Sequence, residues 1–412
     1  MSSWWFVLVR FSRRLLVRAS LYAGFAILAA LAAVWFAPFV PRELAERLGG
    51  EAVEGVLTAL ASSMLAVATF SLSAMVVAYT ATAAQMTPRA ASFVTSDSAT
   101  QGALATFVGA FLFTIVALVA LGADYYGEEG RSILFLATLI MIALVAVRLV
   151  VWIDRVSRLA QHGHILSQIE AAARAALRAR LDRRYLGGTK LEAPSADGVA
   201  VNSTESGYIA NVDPSKLQAI AVRLGAIIEV LTSPGDFVVR GEAVVNVVGA
   251  AVAEEDCAAI CSAFSLSPAR TLEQDPLYAL QIMSEVAARA LSPGVNDPGT
   301  AILVVDSAYR VLEDWMADSQ TPDDAPACDR LRAYDLDGCA LIAESLGEVG
   351  RYGASDVAVA VRVQRALRAL ARASADEFAG CARAQAKIAL DRAEHALELE
   401  IDRERVRAAG GA

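Results

Sequence analysis

An α-helical membrane domain with four transmembrane helices, followed by a cytosolic α+β region made of a small β-rich domain and helical hairpins, is the fold class this sequence predicts. Three observations carry it. The chain is 56% hydrophobic and only 20% charged, and the apolar excess sits in the first 153 positions in runs long enough to cross a bilayer. Arginines gather at the N-terminus and again behind the last run, which sets an orientation. From about residue 187 the periodicity changes to short alternating runs separated by Gly and Pro, then back to amphipathic helices.

Residues 1–18 combine Trp4, Trp5 and Phe6 with Arg10, Arg13, Arg14 and Arg18, a pattern suited to an interfacial basic and aromatic segment. The membrane domain is expected over 19–154. Its first span, 21–40, has no cleavage box and ends at Pro38 and Pro41, so it reads as an uncleaved span. Further spans are expected at 56–83, 102–122 and 133–153. The connector after the first carries Glu43, Glu46, Glu51 and Glu54, and the one after the third carries Asp124, Glu128 and Glu129, so both are placed outside. Arg148, Arg155 and Arg158 follow the fourth, which puts both termini in the cytoplasm.

The second span organises the rest. At about 100° per residue, Thr58, Ser62, Thr69, Ser73 and Thr80 share a narrow arc with Ala66 and Thr87, opposite Leu57, Leu60, Met64, Val67 and Met75. Such a stripe serves as a helix-packing seam or, in an oligomer, as a pore lining, and the seam is the blander reading. Gly102, Ala105 or Thr106, and Gly109 on the third span form a second close-packing surface, expected to meet that stripe. Arg148 is expected to snorkel, with Trp152 beside it at headgroup depth.

Residues 155–186 read as an amphipathic connecting helix, with Leu166, Ile169, Ala173 and Leu177 on one face. Arg174, Arg178, Arg180, Arg183 and Arg184 lie elsewhere, either near anionic headgroups or on a solvated face. Residues 187–205 read as a linker. The β-rich domain spans 206–252, with strands at 207–212, 226–231, 237–239 and 244–248, a helix starting at Asp213-Pro214 and a turn at 233–236. Its Pro234-Gly235-Asp236 hairpin resembles those of lipoyl-type barrels. The lysines Lys190, Lys216 and Lys387 are not at a hairpin tip, so no cofactor is expected.

Residues 253–317 form a helical motif around Arg270-Thr-Leu-Glu-Gln-Asp275-Pro and Ser292-Pro-Gly-Val-Asn-Asp297-Pro. A helix–helix turn explains most of it. Arg270, Gln274, Asp275, Asn296 and Asp297 are the candidate polar cluster, either a pocket for an ion or anion or, as favoured, ties between the hairpin and the β-domain. An acidic linker is expected over 318–327, and helix throughout 328–409. The five cysteines, Cys257, Cys261, Cys328, Cys339 and Cys381, follow the last span and are expected as reduced thiols. The i, i+4 pair Cys257 and Cys261 lies far in sequence from His162, His164 and His395, and no metal is expected.

These residues together resemble the DUF2254 family of bacterial predicted membrane proteins. The match rests on Thr69-Phe70-Ser71, Met86-Thr87-Pro88-Arg89, Ser206-Gly207-Tyr208-Ile209, Ser233-Pro234-Gly235-Asp236-Phe237-Val238, Arg270-Thr271-x-x-Gln274-Asp275 and, most specifically, Ala290 to Pro298, with Tyr352-Gly353 further on. Relatives commonly carry histidine just after the fourth span, where this chain has Asp154-Arg155. The resemblance implies an integral membrane protein and supplies no reaction; the bacterial inner membrane, with both termini cytoplasmic, is the expected location.

The net charge of −9 argues against a nucleic-acid partner. Walker, G-x-S-x-G and H-E-x-x-H motifs are missing from the sequence, so an enzyme would have to assemble its site from scattered Asp, Glu and Arg. Two other classes remain: an oligomeric, channel-like assembly with a cytosolic vestibule, and a membrane-tethered ligand sensor or scaffold. The bilayer and further copies of the chain are the expected partners; any small ligand or ion is unidentified.

Overall fold

The computed structural model describes residues 20, 24, 28, 52–96, 98–159, 162–319, 325–373 and 377–411, which divide into two compact units. The interfacial segment 1–18 and the first expected span, 21–40, lie outside the described residues. The first unit, within 8–84 and 91–161, is helical. It contains α1 (Ala52–Gln85), α2 (Pro88–Ser96), α3 (Ser98–Gly122) and α4 (Glu128–Leu159). Three stretches, Val53–Gln85, Thr100–Gly122 and Glu129–Asp154, are long and apolar enough to cross a bilayer. Three of the expected spans are therefore present among the described residues, each a few residues longer than its apolar run.

In this unit α1 packs through its apolar side. Leu60 and Met64 of α1 join Ala103, Phe107 and Ala110 of α3 and Val145 and Trp152 of α4 in one buried cluster. Val53 and Leu57 join Phe113, Ala117 and Leu134 in a second. The expected meeting of the hydroxyl stripe with the small residues of α3 does not occur: Ala105 and Thr106 are buried, yet Thr58, Ser62, Thr69, Ser73 and Thr80 are all exposed. Large apolar side chains fill the α1–α3 contact because burying their area is worth more than close backbone approach there. Trp152 is also turned inward, only 4% exposed, with its ring edge-on to Phe107 at 6.4 Å and to Phe70 at 5.9 Å.

The second unit takes residues 85–90 and 162 onward. It opens with α5 (His162–Leu181), shorter than expected, and a 3-10 turn at Arg184–Gly187 in which Tyr185 and Leu186 adopt φ of 51° and 59°. The strands are β1 (Thr189–Lys190), β2 (Val199–Asn202), β3 (Gly207–Val212), β4 (Ile227–Val230), β5 (Phe237–Val238), β6 (Ala243–Val248), β7 (Phe264–Ser267) and β8 (Leu331–Ala333). They form a five-stranded sheet in the order β1-β8-β4-β6-β2 and a three-stranded sheet in the order β5-β3-β7. Helices α6 (Pro214–Leu224) and α7 (Glu254–Cys261) cover them. Asp213 caps α6 by accepting from Lys216 N, with Pro214 in its first turn and Gly225 closing it at φ 67°.

Three expectations are corrected here. The stretch 187–205 is not a plain linker, because it supplies β1 and β2. The stretch 328–409 is not helical throughout, because β8 runs parallel between β1 and β4, pairing Leu331 with Ile228 and Ala333 with Lys190. Three residues are too few for a visible alternation, and their partners lie more than a hundred positions away. Cys339 and Cys381 are not both free thiols: they are joined in a disulfide with their Cα atoms 5.2 Å apart. A separation of 42 residues hides that juxtaposition until the two helices pack.

The remaining helices are α8 (Pro276–Ala290), α9 (Pro298–Ser319), α10 (Gly338–Ile342), α11 (Glu348–Tyr352), α12 (Val357–Ala373), α13 (Glu377–Ala396) and α14 (Glu400–Gly410), with a π-helical turn at Ala343–Gly347. The disulfide links α10 to α13. Helices α5 and α9 lie side by side and run parallel. Glu170 meets Arg310, Arg174 meets Asp314 and Arg178 meets Asp318, all at an offset of 140. The arginines Arg174 and Arg178, expected to face headgroups or solvent, are thus spent on α9.

Candidate functional site

The start of α8 is where the Arg270 motif takes shape. Asp275 precedes Pro276, and its Oδ1 accepts from Tyr278 N at 3.1 Å, so it caps the helix. The same carboxylate receives Arg270 through two parallel bonds, Nε to Oδ2 at 2.6 Å and Nη2 to Oδ1 at 2.8 Å. Arg270 Nη1 donates to Gln281 Oε1 at 2.7 Å, and the guanidinium lies 5.3 Å from the Tyr278 ring centre. With Asp275 only 2% exposed, this is a fork-to-fork ion pair held mostly out of water.

The hairpin before β5 closes over that pair. Gly235 sits at φ 101°, and a Cβ there would lie 2.5 Å from the Asp275 carboxyl carbon. Only glycine fits, on both counts. The turn is fixed to β3 by Gly235 N donating to Ile209 O at 2.8 Å and Ile209 N to Asp236 O at 2.9 Å. Gln274 completes the junction: its Oε1 accepts from Val212 N at 3.0 Å and its Nε2 donates to Asn211 Oδ1 at 2.6 Å. Arg270, Gln274 and Asp275 thereby connect α8, β3 and the hairpin. Asn211 Nδ2 and the Thr271 and Thr232 hydroxyls are buried with no hydrogen-bond partner among the described residues.

Asn296 and Asp297 are elsewhere. They occupy the turn between α8 and α9, at the far end of a helix of 15 residues, roughly 20 Å along its axis. Asn296 is exposed at φ 52°, a left-handed conformation that asparagine tolerates. Asp297 accepts from Thr300 N at 3.1 Å and from the Thr300 hydroxyl at 2.6 Å, capping α9. The five polar residues therefore form a junction of three and a turn of two. Arg270 itself is saturated: the edges that would grip an anion are already given to Asp275 and Gln281.

On α1 the five stripe residues lie on the exposed face. Ser62 Oγ donates to Thr58 O at 3.1 Å, Thr69 Oγ1 to Leu65 O at 2.8 Å, Ser73 Oγ to Thr69 O at 3.0 Å and Thr80 Oγ1 to Val76 O at 3.0 Å. These four hydroxyls are satisfied within their own helix and keep acceptor capacity outward. Thr87 has left the stripe, accepting from Ala90 N at 3.1 Å to cap α2. Arg89, in the short segment that clusters with the second unit, is ion-paired to Glu285 of α8.

One charged group carries no motif and escapes a reading of the sequence: Glu229, fully buried in the middle of β4. Its carboxylate accepts from Ser195 N at 2.9 Å, Ser195 Oγ at 2.6 Å and Asn246 Nδ2 at 2.9 Å, with Arg332 Nη1 3.5 Å away. Burial alone would raise its pKa, but those hydrogen bonds outweigh it and hold the carboxyl below its ordinary range. A glutamate interrupting the apolar run 226–231 is the only signal the sequence offers. Groups of three or more His, Cys, Asp or Glu that could hold a metal do not occur among the described residues.

A family described as "Predicted membrane protein (DUF2254)" matches residues 12–369. The chain is also 32% identical over 136 residues to the uncharacterized protein Rv1290c of Mycobacterium tuberculosis and, equally, to the uncharacterized protein Mb1321c of Mycobacterium bovis. Those matches cover 32% of this chain and 26% of each relative, so the chain spans about a quarter of the length of the curated relatives it matches. No solved structure matches it.

Proposed function

We propose, from the premise that the chain belongs to the DUF2254 family of predicted membrane proteins, that it works as a homo-oligomeric, channel-like assembly of the bacterial inner membrane, with the second unit as a cytosolic vestibule. The observation that carries this is the exposed hydroxyl face of α1. Leu57, Leu60 and Met64 of that helix pack against α3 and α4, leaving Thr58, Ser62, Thr69, Ser73 and Thr80 facing out of the protomer, interleaved with exposed Leu65, Leu72 and Val76. A lipid-facing surface gains nothing from hydroxyls, whereas the lining of a water-filled path between copies does. Arginines behind α4 and the expected four-span count keep both termini cytoplasmic.

Ion flux through vesicles reconstituted with the full chain tests this. The wild type passes ions, and Ser73→Leu and Thr80→Leu reduce the flux at unchanged protein content. Flux that is absent, or equal in all three proteins, refutes the path.

A second reading, a membrane-tethered ligand sensor, draws on a different observation. A cavity of about 1050 Å³ is lined by residues 181–190, Pro214, Ser215 and 325–328, with Arg178 and Asp318 at its edge. It would be favoured by a protein that conducts nothing and is monomeric in detergent.

A further inference from the structure

Helices α12 and α14 enclose a groove of about 630 Å³ whose charged lining is all of one sign: Arg365, Arg368 and Arg372 from α12 and Arg405 from α14, with Ala408 and Ala409 at its side. The spacing i, i+3, i+7 sets the three α12 arginines on one face. Their neighbours in the same bundle are neutralised: Arg362 by Asp306 at 3.0 Å and Arg407 by Glu394 at 2.5 Å and Glu400 at 2.6 Å. Arg365 and Arg372 have no carboxylate partner among the described residues. Arg405 has only Asp402 at 3.7 Å, and Arg368 donates at 3.5 Å to the Ala409 carbonyl. The other large cavity differs, because Asp182 and Asp318 line it beside its cations and Arg178 is already paired.

Four guanidiniums from two helices on one concavity repel one another, and only the long Asp402 contact and the Ala409 carbonyl offset it, in a chain whose net charge is −9. We propose that this groove is a binding site for a phosphate-bearing anion. Guanidinium forks match phosphate oxygens two by two, and several forks at once select a diphosphate or a phosphodiester headgroup over chloride or a monocarboxylate. The site is independent of the pore reading, since it uses no residue of α1.

The test uses full-length protein in nanodiscs. In zwitterionic nanodiscs, inorganic pyrophosphate is titrated calorimetrically at low and physiological salt into wild type, Arg365→Gln/Arg372→Gln, Arg405→Gln and, as a control in the other cavity, Arg183→Gln/Lys190→Gln. In a second arm, nanodiscs are doped with phosphatidylglycerol and lipid retention is read by native mass spectrometry. Saturable pyrophosphate binding, weakened tenfold or more by each groove variant and untouched by the control, establishes a site for a free phosphate compound. Retention of phosphatidylglycerol with the same variant dependence, and no pyrophosphate binding, establishes a lipid headgroup as the source. Absence of saturable binding in both arms, or binding insensitive to the groove variants, overturns the proposal. Should the double variant fail to fold, the Arg405→Gln result decides in its place.

Discussion

Glu170 of α5 and Arg310 of α9 meet through two bonds, Nε to Oε1 at 3.1 Å and Nη2 to Oε2 at 2.6 Å. The Arg174–Asp314 and Arg178–Asp318 pairs repeat the same offset one and two turns further on. Such a repeat fixes the register of two parallel helices. Burial alone would raise the Glu170 pKa, but hydrogen bonds from Arg310, Ser307 and Arg174 outweigh it and keep the carboxylate charged. The outermost pair, Arg178–Asp318, is largely exposed and adds little.

Reversing one partner, Arg310→Glu, should therefore destabilise the second unit by about 1–3 kcal/mol, since it leaves Glu170 half-buried opposite a like charge. The double reversal Glu170→Arg/Arg310→Glu should recover part of the loss. Arg178→Ala should change melting by less than about 1 kcal/mol. Thermal unfolding of the detergent-solubilised protein separates the three.

Gly235→Ala should be costly for two reasons that act together: a left-handed φ, worth about 1–3 kcal/mol, and a methyl group driven into the Asp275 carboxylate. Gly225, also left-handed, meets nothing within 4 Å, so Gly225→Ala should lose only the conformational part. Asp275→Ala removes both the cap and the partner of Arg270, with an expected loss of about 3–5 kcal/mol. Equal melting temperatures for the two glycine variants would show that the hairpin does not press on the junction.

Glu229 predicts an acid dependence. Its folded-state pKa is depressed, so the stabilisation it gives is complete above its ordinary value of about 4.3 and is lost as pH falls through the lower folded value. Wild-type melting should drop steeply below about pH 4. Glu229→Gln should melt lower at neutral pH and show a shallower fall on acidification. A variant with the wild-type slope would remove Glu229 from the acid response.

The Cys339–Cys381 pair reports compartment. A disulfide persists where the surroundings are oxidising and is reduced in the cytoplasm. If the second unit is cytoplasmic, as proposed, alkylation of intact cells should modify Cys339 and Cys381, whereas cells lysed in air with neither alkylating agent nor reductant should yield the bond. Protection of both cysteines in intact cells would place that unit outside.

What the sequence makes legible is what short-range chemistry decides. Asp213-Pro214, Asp275-Pro276 and Asp297-Pro298 each announce a helix start, because cap and proline act within one turn. Apolar runs announce α1, α3 and α4 because bilayer thickness is read from length alone. The rest depends on partners distant in the chain. Strand β8 is defined by β1 and β4, Arg174 by Asp314, and the face of α1 that turns inward by the large side chains of α3. In the polar cluster, Arg270, Gln274 and Asp275 were legible as a group, but the length of α8 separates them from Asn296 and Asp297. Only the folded chain shows that distance.

Water access along α1 is the most direct test of the proposed path. Single cysteines placed at Thr69, Ser73 and Thr80, and for comparison at Phe70, Leu72 and Val77, exposed apolar positions flanking that arc, are introduced into a protein whose native cysteines are replaced by serine. Reconstituted vesicles are then treated with a membrane-impermeant, thiolate-specific reagent. The account predicts modification at 69, 73 and 80 and protection at 70, 72 and 77. Equal protection at all six positions would put the hydroxyl face in lipid or against another helix and contradict the path.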